Sequence, residues 1–289
     1  MIKGIDIGNY ATKDEKENSF ISKITYTGNI LGSQYNLELN DSMYVVGEGN
    51  FDTEYRKVEK ENYIKLLYAM LAISTQSNNI ELVLGLPISQ YKQDKDTLKN
   101  RVKENFHLKG KLNGVNKEYF ITDVEVYPEG IAALDYDYEG IIVDIGGLTT
   151  DCCLVNNINN RRKIDNPVSL SEGTLNLYSN FINVINGRFG LDLKVKDVER
   201  IISHGLYIKG EKQNISFAID IFKEYLENLI RELNLQYSLK TNNIVFTGGG
   251  SILLAKPIMN RLPYAGIQDN PVFNNAKGFY REGRRIWAI

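Results

Sequence analysis

Residues 4–13 read GIDIGNYATK, and residues 143–151 read VDIGGLTTD. In each, an apolar run ends in an aspartate, one aliphatic residue and a glycine, and small polar residues follow. Such a run bounded by glycine marks a strand entering a sharp turn. The aspartate at its end is a hard oxygen ligand, and glycine lets the backbone come close enough for successive N–H groups to point at an anion. The magnesium that accompanies nucleotide phosphates takes such a carboxylate, usually through water. Two of these hairpins, about 140 residues apart, predict a clamp that holds a triphosphate and its metal from both sides.

A third glycine turn lies in NIVFTGGGSILLAKPI at 243–258, which reads as strand, turn and helix. Its backbone and helix N-terminus would suit the α-phosphate or the nucleoside. The sequence has no GxxxxGK[ST] loop to offer a rival phosphate site.

The bulk properties bound the partners. A chain of 289 residues suits one large domain or two of ordinary size. Thirty-four basic and 36 acidic side chains give a formal charge of -2, so no global field attracts nucleic acid or an anionic membrane. Any DNA contact is expected to be local or made through a partner. The longest apolar stretches, such as YAMLAI at 68–73, fall far short of a membrane span. Met1 to Ile7 lacks the secretory pattern, and the expected location is the cytoplasm. Cys152 and Cys153 are neighbours on an expected strand, so they point to opposite faces and serve as small core residues.

Strands are expected at 2–7, 20–27, 34–39 and 42–46, and a helix at about 55–75, where Tyr63, Leu66, Leu67, Met70 and Leu71 recur at helical spacing. IELVLGLP at 80–87 is a buried strand stopped by Pro87. A charged helix follows at about 90–106, then a hairpin around Gly110 and Gly114, a strand at 123–127 and a helix starting near Pro128. From about 170 the chain turns helical, and Ile215, Ile219, Phe222, Leu226, Leu229 and Leu233 line one face of a long amphipathic helix.

These segments resemble the actin-fold ATPases, most closely the bacterial actin-like proteins of plasmid segregation, the ParM and Alp group. DIGNYATK at 6–13 is similar to the first phosphate motif of that family, YPEGIAAL at 127–134 to its first connecting helix, and DIGGLTTD at 144–151 to its second phosphate motif. FTGGGSIL at 246–253 is similar to the adenosine motif, NPVFNNAKGFYREG at 270–283 to the second connecting helix, and YVVGEGN at 44–50 to the plasmid subgroup. Asn9 and Tyr10 depart from the serine or glycine common in relatives.

The resemblance implies an α/β, actin-like (ribonuclease H-like) fold of two duplicated lobes with a nucleotide cleft between them. The first lobe would take residues 1–135 plus 274–289, and the second 136–273 with a helical subdomain at about 170–240. It also implies site roles. Asp6 and Asp144 would hold Mg2+ through water, and Gly8, Asn9, Gly146, Gly147 and Thr149 would line the phosphates. Lys13 would neutralise phosphate charge, and Glu129 would polarise the attacking water. Gly248, Gly249 and Gly250 would approach the nucleoside, with Glu172, Gly173 and Thr174 near ribose or base. The implied function is an ATPase or GTPase that polymerises head to tail and segregates plasmid DNA through a DNA-binding adaptor protein, without binding nucleic acid or membrane itself. Two alternatives share the superfamily: a small-molecule kinase, and a non-polymerising activator or chaperone-like ATPase.

Overall fold

The computed structural model describes residues 1–26, 35–158 and 161–288. The expected strands at 20–27 and 34–39 reach Thr27 and Gln34, which lie outside the described residues.

Two sheets repeat one plan. In the first, strand Ile2–Ile7 is antiparallel to Ala11–Asp14, which pairs with Ser19–Ile21; on its other side it runs parallel to Asn79–Leu86, itself parallel to Val115–Pro128. In the second, Gly140–Ile145 is antiparallel to Thr150–Ile158, which pairs with Arg161–Leu170; on its other side it runs parallel to Ile244–Thr247, itself parallel to Gly266–Ile267. Order and direction match strand for strand, so the repeated aspartate motif marks equivalent places in two equivalent sheets. The central strand of the second sheet is buried at all six positions, as its unbroken apolar run requires.

The two halves differ in what is added. The first sheet continues beyond Val115–Pro128 through His107–Leu112 to a small curl of strands, Tyr35–Leu39, Ser42–Val46, Lys23–Thr25 and Asn50–Phe51. The second half carries helices Thr174–Phe189, Val198–His204 and Ser216–Gln236. Each half has its own apolar core, and a smaller cluster of Ile88, Ile131, Leu134, Ile142, Cys153 and Val155 joins them. Cys152 faces the core of the second half and Cys153 this joining cluster; both thiols are free and buried, on opposite sides of their strand.

Three expectations change. No helix starts at Pro128: residues 129–134 form a turn in which Gly130 has φ +73° and the Ala133 and Leu134 amides reach back three residues, to Gly130 and Ile131. Carbonyls that a helix would use internally go to arginines instead. Arg281 donates to the carbonyls of Ala132 (3.0 Å) and Leu134 (3.2 Å), and Arg162 to Ile131 (3.1 Å) and Leu134 (3.1 Å). The helix expected over 55–75 spans only Tyr63–Ser74, preceded by a single 3-10 turn, Lys57–Glu59. Arg101 caps the Val58 and Lys60 carbonyls at 2.6 and 2.7 Å and holds that turn apart from the helix. In Ser216–Gln236 the buried stripe is Ala218, Phe222, Tyr225, Leu226, Leu229, Ile230 and Leu233, while Ile219 is 38% exposed. The helix is rotated towards Thr174–Phe189, where Phe181 meets Phe222 edge to face.

The last helix, Asn274–Trp287, returns the chain to the first sheet and packs on Ile2–Ile7 and Asn79–Leu86. At Gly278 the helix also packs on the 129–134 turn, where a Cβ would collide with the Ala132 carbonyl. Gly278→Ala is expected to destabilise the fold by about 1–3 kcal/mol through forced separation of backbones, even though alanine is the better helix former. Urea unfolding checks this: the midpoint should fall with the slope unchanged, and an unmoved midpoint would show that the contact relaxes freely.

Candidate functional site

The two aspartate hairpins are built alike. In the first, Asp6 lies opposite Lys13 and the Gly8 amide donates to the Ala11 carbonyl at 3.1 Å. In the second, Asp144 lies opposite Asp151 and the Gly146 amide donates to the Thr149 carbonyl at 2.9 Å. The same four-residue turn follows each aspartate, and the ladder sets each across from the residue seven positions later. That residue is a cation in the first half and a second carboxylate in the other.

Both hairpins open on one cavity of about 970 Å³, a volume that accommodates a nucleotide. Of the residues expected from the sequence, Asp6, Gly8, Asn9, Lys13, Glu129, Asp144, Gly146, Gly147, Thr149, Thr174, Gly248 and Gly249 line it. Glu172, Gly173 and Gly250 are not in its wall. The Glu172 side chain is exposed, and its carbonyl accepts from Thr150 Oγ1 at 2.8 Å and from the Tyr225 hydroxyl at 3.3 Å. Gly173 lies against the second hairpin, where the Thr174 and Leu175 amides donate to the Gly146 and Gly147 carbonyls at 3.0 and 2.9 Å. Gly250 packs on Ile145. At the third turn Gly248 has φ +79°, and a Cβ there would strike Asp144 Oδ1, so conformation and space both demand glycine.

The floor of the cavity is a cluster of buried charge. Lys13 Nζ lies 3.1 Å from Asp6 Oδ2 and donates to the Val272 carbonyl at 3.0 Å. Lys57, fully buried, pairs closely with Glu129 Oε1, and its ammonium is 3.6 Å from Asp6 Oδ1. Burial opposes the charge on Asp6, but Lys13 and Lys57 outweigh it and hold its pKa below the usual range. Burial likewise disfavours the Lys57 ammonium, and Glu129 and Asp6 reverse this and raise its pKa. Glu129 is pushed up by burial against the opposing pull of Lys57. Asp144 is raised by burial and by the Asp6 charge, with the Asn275 hydrogen bond opposing. Lys60, whose ammonium donates to Asn9 Oδ1, is lowered to about 8 by burial and by the like charge of Lys57.

Several members of this site went unread in the sequence. Asp151 had a usable signal, since it stands seven residues after Asp144 as Lys13 does after Asp6. Lys57 and Asn275 had none, because both arrive from distant segments. Asn275 Nδ2 donates to Asp144 Oδ2 at 2.9 Å, and its Oδ1 accepts from the Gly130 amide at 2.8 Å. Tyr10 crosses the cleft: its hydroxyl donates to Glu199 Oε1 at 3.0 Å, and a Cβ built on Gly147 would lie 2.9 Å from its own Cβ. A serine or glycine at position 10 would lose this bond to the helix Val198–His204.

Burial pushes Asp151 from 3.8 up to about 6, the Thr149 hydrogen bond opposing. Between those pH values the native protein keeps a proton that the unfolded chain has released. The associated stability is full below 3.8 and is lost as pH rises through about 6. Asp151→Asn is therefore expected to stabilise the nucleotide-free protein at pH 7.5 relative to pH 4.5, by on the order of 3 kcal/mol at most. Urea midpoints at the two pH values test this; an identical mutant-minus-wild-type difference at both would refute it.

Comparison with known proteins agrees with this fold. Residues 4–131 match the family described as actin-like proteins, N-terminal domain, and residues 142–260 match the archaeal actin homologue MreB-like C-terminal family. No curated protein matches the chain by sequence. Among solved structures, an archaeal actin homologue in complex with ADP is 19% identical with a TM-score of 0.83, covering 99% of both chains. A ParM filament from Clostridium botulinum is 19% identical with a TM-score of 0.80, covering 98% of this chain and 99% of its own. The Alp12 filament is 21% identical with a TM-score of 0.69, covering 99% of this chain and 98% of its own. With one strand plan repeated in both halves, the chain has the actin-like fold, its first half matching the actin-like N-terminal domain family and its second the MreB-like C-terminal family.

Proposed function

We propose that the chain is a nucleotide-dependent, filament-forming ATPase of the ParM and Alp type, which polymerises head to tail and moves plasmid DNA through an adaptor protein. One observation carries the nucleotide part. Two hairpins of like construction present buried carboxylates to one cavity, and there, among the described residues, Asp151 Oδ1 has no hydrogen-bond partner and Asp6 Oδ1 has only the Lys57 ammonium 3.6 Å away. Buried carboxylate oxygens without donors call for a cation. Among the described residues no group of three or more His, Cys, Asp or Glu side chains is set to hold a bare metal. Mg2+ suits such a place, since it keeps most of its waters and takes one or two carboxylates along with phosphate oxygens.

Asp6 and Asp144 would hold Mg2+ through water, and the bound ion supplies charge neutralisation for the phosphates of ATP or GTP. Gly8, Asn9, Gly146, Gly147 and Thr149 would line the phosphates, with Lys13 adding positive charge. Glu129 would orient the attacking water and take its proton. Gly248 and Gly249, with Thr174, would border the nucleoside, while Glu172, Gly173 and Gly250 act from behind the wall. Arranging these groups in advance is what phosphoryl transfer needs, as its catalysis is mostly positioning and charge stabilisation.

The reading divides the chain into a first lobe, 1–135 with 274–289, and a second, 136–273, and the repeated strand order supports that division. A nucleotide held by both lobes biases their closure, and a closure-dependent head-to-tail contact generates an open filament. Two of the structural relatives are themselves filaments. A formal charge of -2 favours an adaptor over direct DNA binding. No helix among the described residues is long and apolar enough to cross a membrane.

Right-angle light scattering and pelleting with Mg2+ and ATP, GTP, ADP or no nucleotide test the proposal. The expected result is a rise with triphosphate that decays as phosphate is released. A flat trace at high protein concentration, with nucleotide bound, would rule out the filament. Asp144→Ala is expected to weaken Mg2+-dependent triphosphate binding by at least about tenfold, from the loss of one metal-side carboxylate. Isothermal titration calorimetry reads this directly, and wild-type affinity would contradict the two-hairpin clamp.

A further inference from the structure

We propose that Lys57 is a positioning residue for hydrolysis: its buried ammonium fixes the Glu129 carboxylate so that one oxygen is held and the other is presented to the cleft. The inference rests on the reading of Glu129 as the residue that activates water. Lys57 lies 72 residues from Glu129 in sequence and opens the 3-10 turn that follows the added strands of the first sheet, a segment to which neither aspartate hairpin belongs.

The geometry supports a specific task. Lys57 and Glu129 both line the cavity, with side chains 1% and 13% exposed. Lys57 takes Glu129 Oε1, and no hydrogen bond engages Oε2 among the described residues. A lone ammonium buried only for packing would be replaced at little cost by an apolar side chain. Here the charge stands where two cleft carboxylates converge, with Asp6 Oδ1 at 3.6 Å and the Gly85 carbonyl at 3.5 Å.

The lysine is also held firmly. Its backbone amide donates to Gln90 Oε1 at 3.0 Å, and Gln90 Nε2 donates back to the Tyr55 carbonyl at 2.9 Å. Arg56 next to it grips Asp94 with both Nε and Nη2. Helix Ile88–Glu104 thus anchors the 3-10 turn on both flanks, and the Glu129 amide donates to the Leu86 carbonyl at 2.8 Å just before that helix. Ammonium and carboxylate are referenced to one rigid element, as a preorganised pair requires. Asp6 does not depend on Lys57 in this way, because Lys13 already pairs with it.

The test is a double-mutant cycle in the full-length protein with Lys57→Met, Glu129→Gln and the pair combined, read as steady-state phosphate release with Mg2+ and triphosphate. Lys57→Met alone should lower kcat by about 10²-fold, the scale of a misplaced general base, and move KM by less than about threefold. In the Glu129→Gln background it should cost nothing further, since its partner's function is already gone. The double variant also removes both charges together, which keeps the comparison available if the single variant folds poorly. Losses that multiply, or a raised KM with kcat unchanged, would mean that Lys57 acts on the phosphates directly and would overturn the proposal. A crystal structure of Lys57→Met supplies the second arm: Glu129 should leave its position, and an unmoved carboxylate would also overturn the proposal. Wild-type hydrolysis by Glu129→Gln would sink the reading of Glu129 instead, while the crystallographic arm would still decide whether Lys57 positions it.

Discussion

Buried like charge at the floor of the cleft is the constraint on which the rest of the structure depends. Asp6, Glu129, Asp144 and Asp151 converge on one cavity, and a buried ion costs several kcal/mol unless it is paired. Lys13 and Lys57 offset part of this on the side of the first sheet, while among the described residues Asp144 and Asp151 have only neutral donors, from Asn275 and from Thr149. The arrangement survives because strand register leaves the carboxylates nowhere else to point. A slip of one residue in either hairpin would turn its aspartate to the opposite face and every apolar neighbour with it. The apolar strands that bury these groups therefore also aim them.

The segment between the halves follows from the same requirement. Residues 129–134 carry Glu129 into the cavity and then lead to the second sheet. Arg281 of the last helix and Arg162 of the second sheet hold this turn through its carbonyls, and Gln268 Nε2 adds a bond to the Ala133 carbonyl at 3.0 Å. A regular helix here would have kept those carbonyls for itself. The turn form gives both halves a grip on the link that places Glu129, so any relative motion of the two sheets is felt where Glu129 sits.

Much of this was legible in the chain. Glycine and aspartate at strand ends announced both hairpins, because a sharp turn after a buried strand leaves few residue types to choose from. Twelve of the fifteen residues that the resemblance implied line one cavity. Glu172, Gly173 and Gly250 stood one step behind the wall, since adjacency to a motif in sequence does not say which side of a helix terminus faces a cleft. The apolar face of Ser216–Gln236 was misjudged by a fraction of a turn for a related reason. Periodicity gives the width of a stripe, and the neighbouring helix decides where its centre lies.

What the sequence determined by itself was the local grammar: which segments are buried strands, where they turn, and that the same aspartate turn occurs twice. These depend on a few neighbouring residues and their hydrogen-bonding and steric limits. Only the tertiary structure decided that Lys57 meets Glu129, that Asn275 meets Asp144 and that Tyr10 reaches Glu199, pairs separated by 72, 131 and 189 residues. A lysine or an asparagine is compatible with almost any exposed surface, so nothing in its own neighbourhood marks it as buried. Its role arises from the low dielectric and the opposite charge that remote segments bring to it.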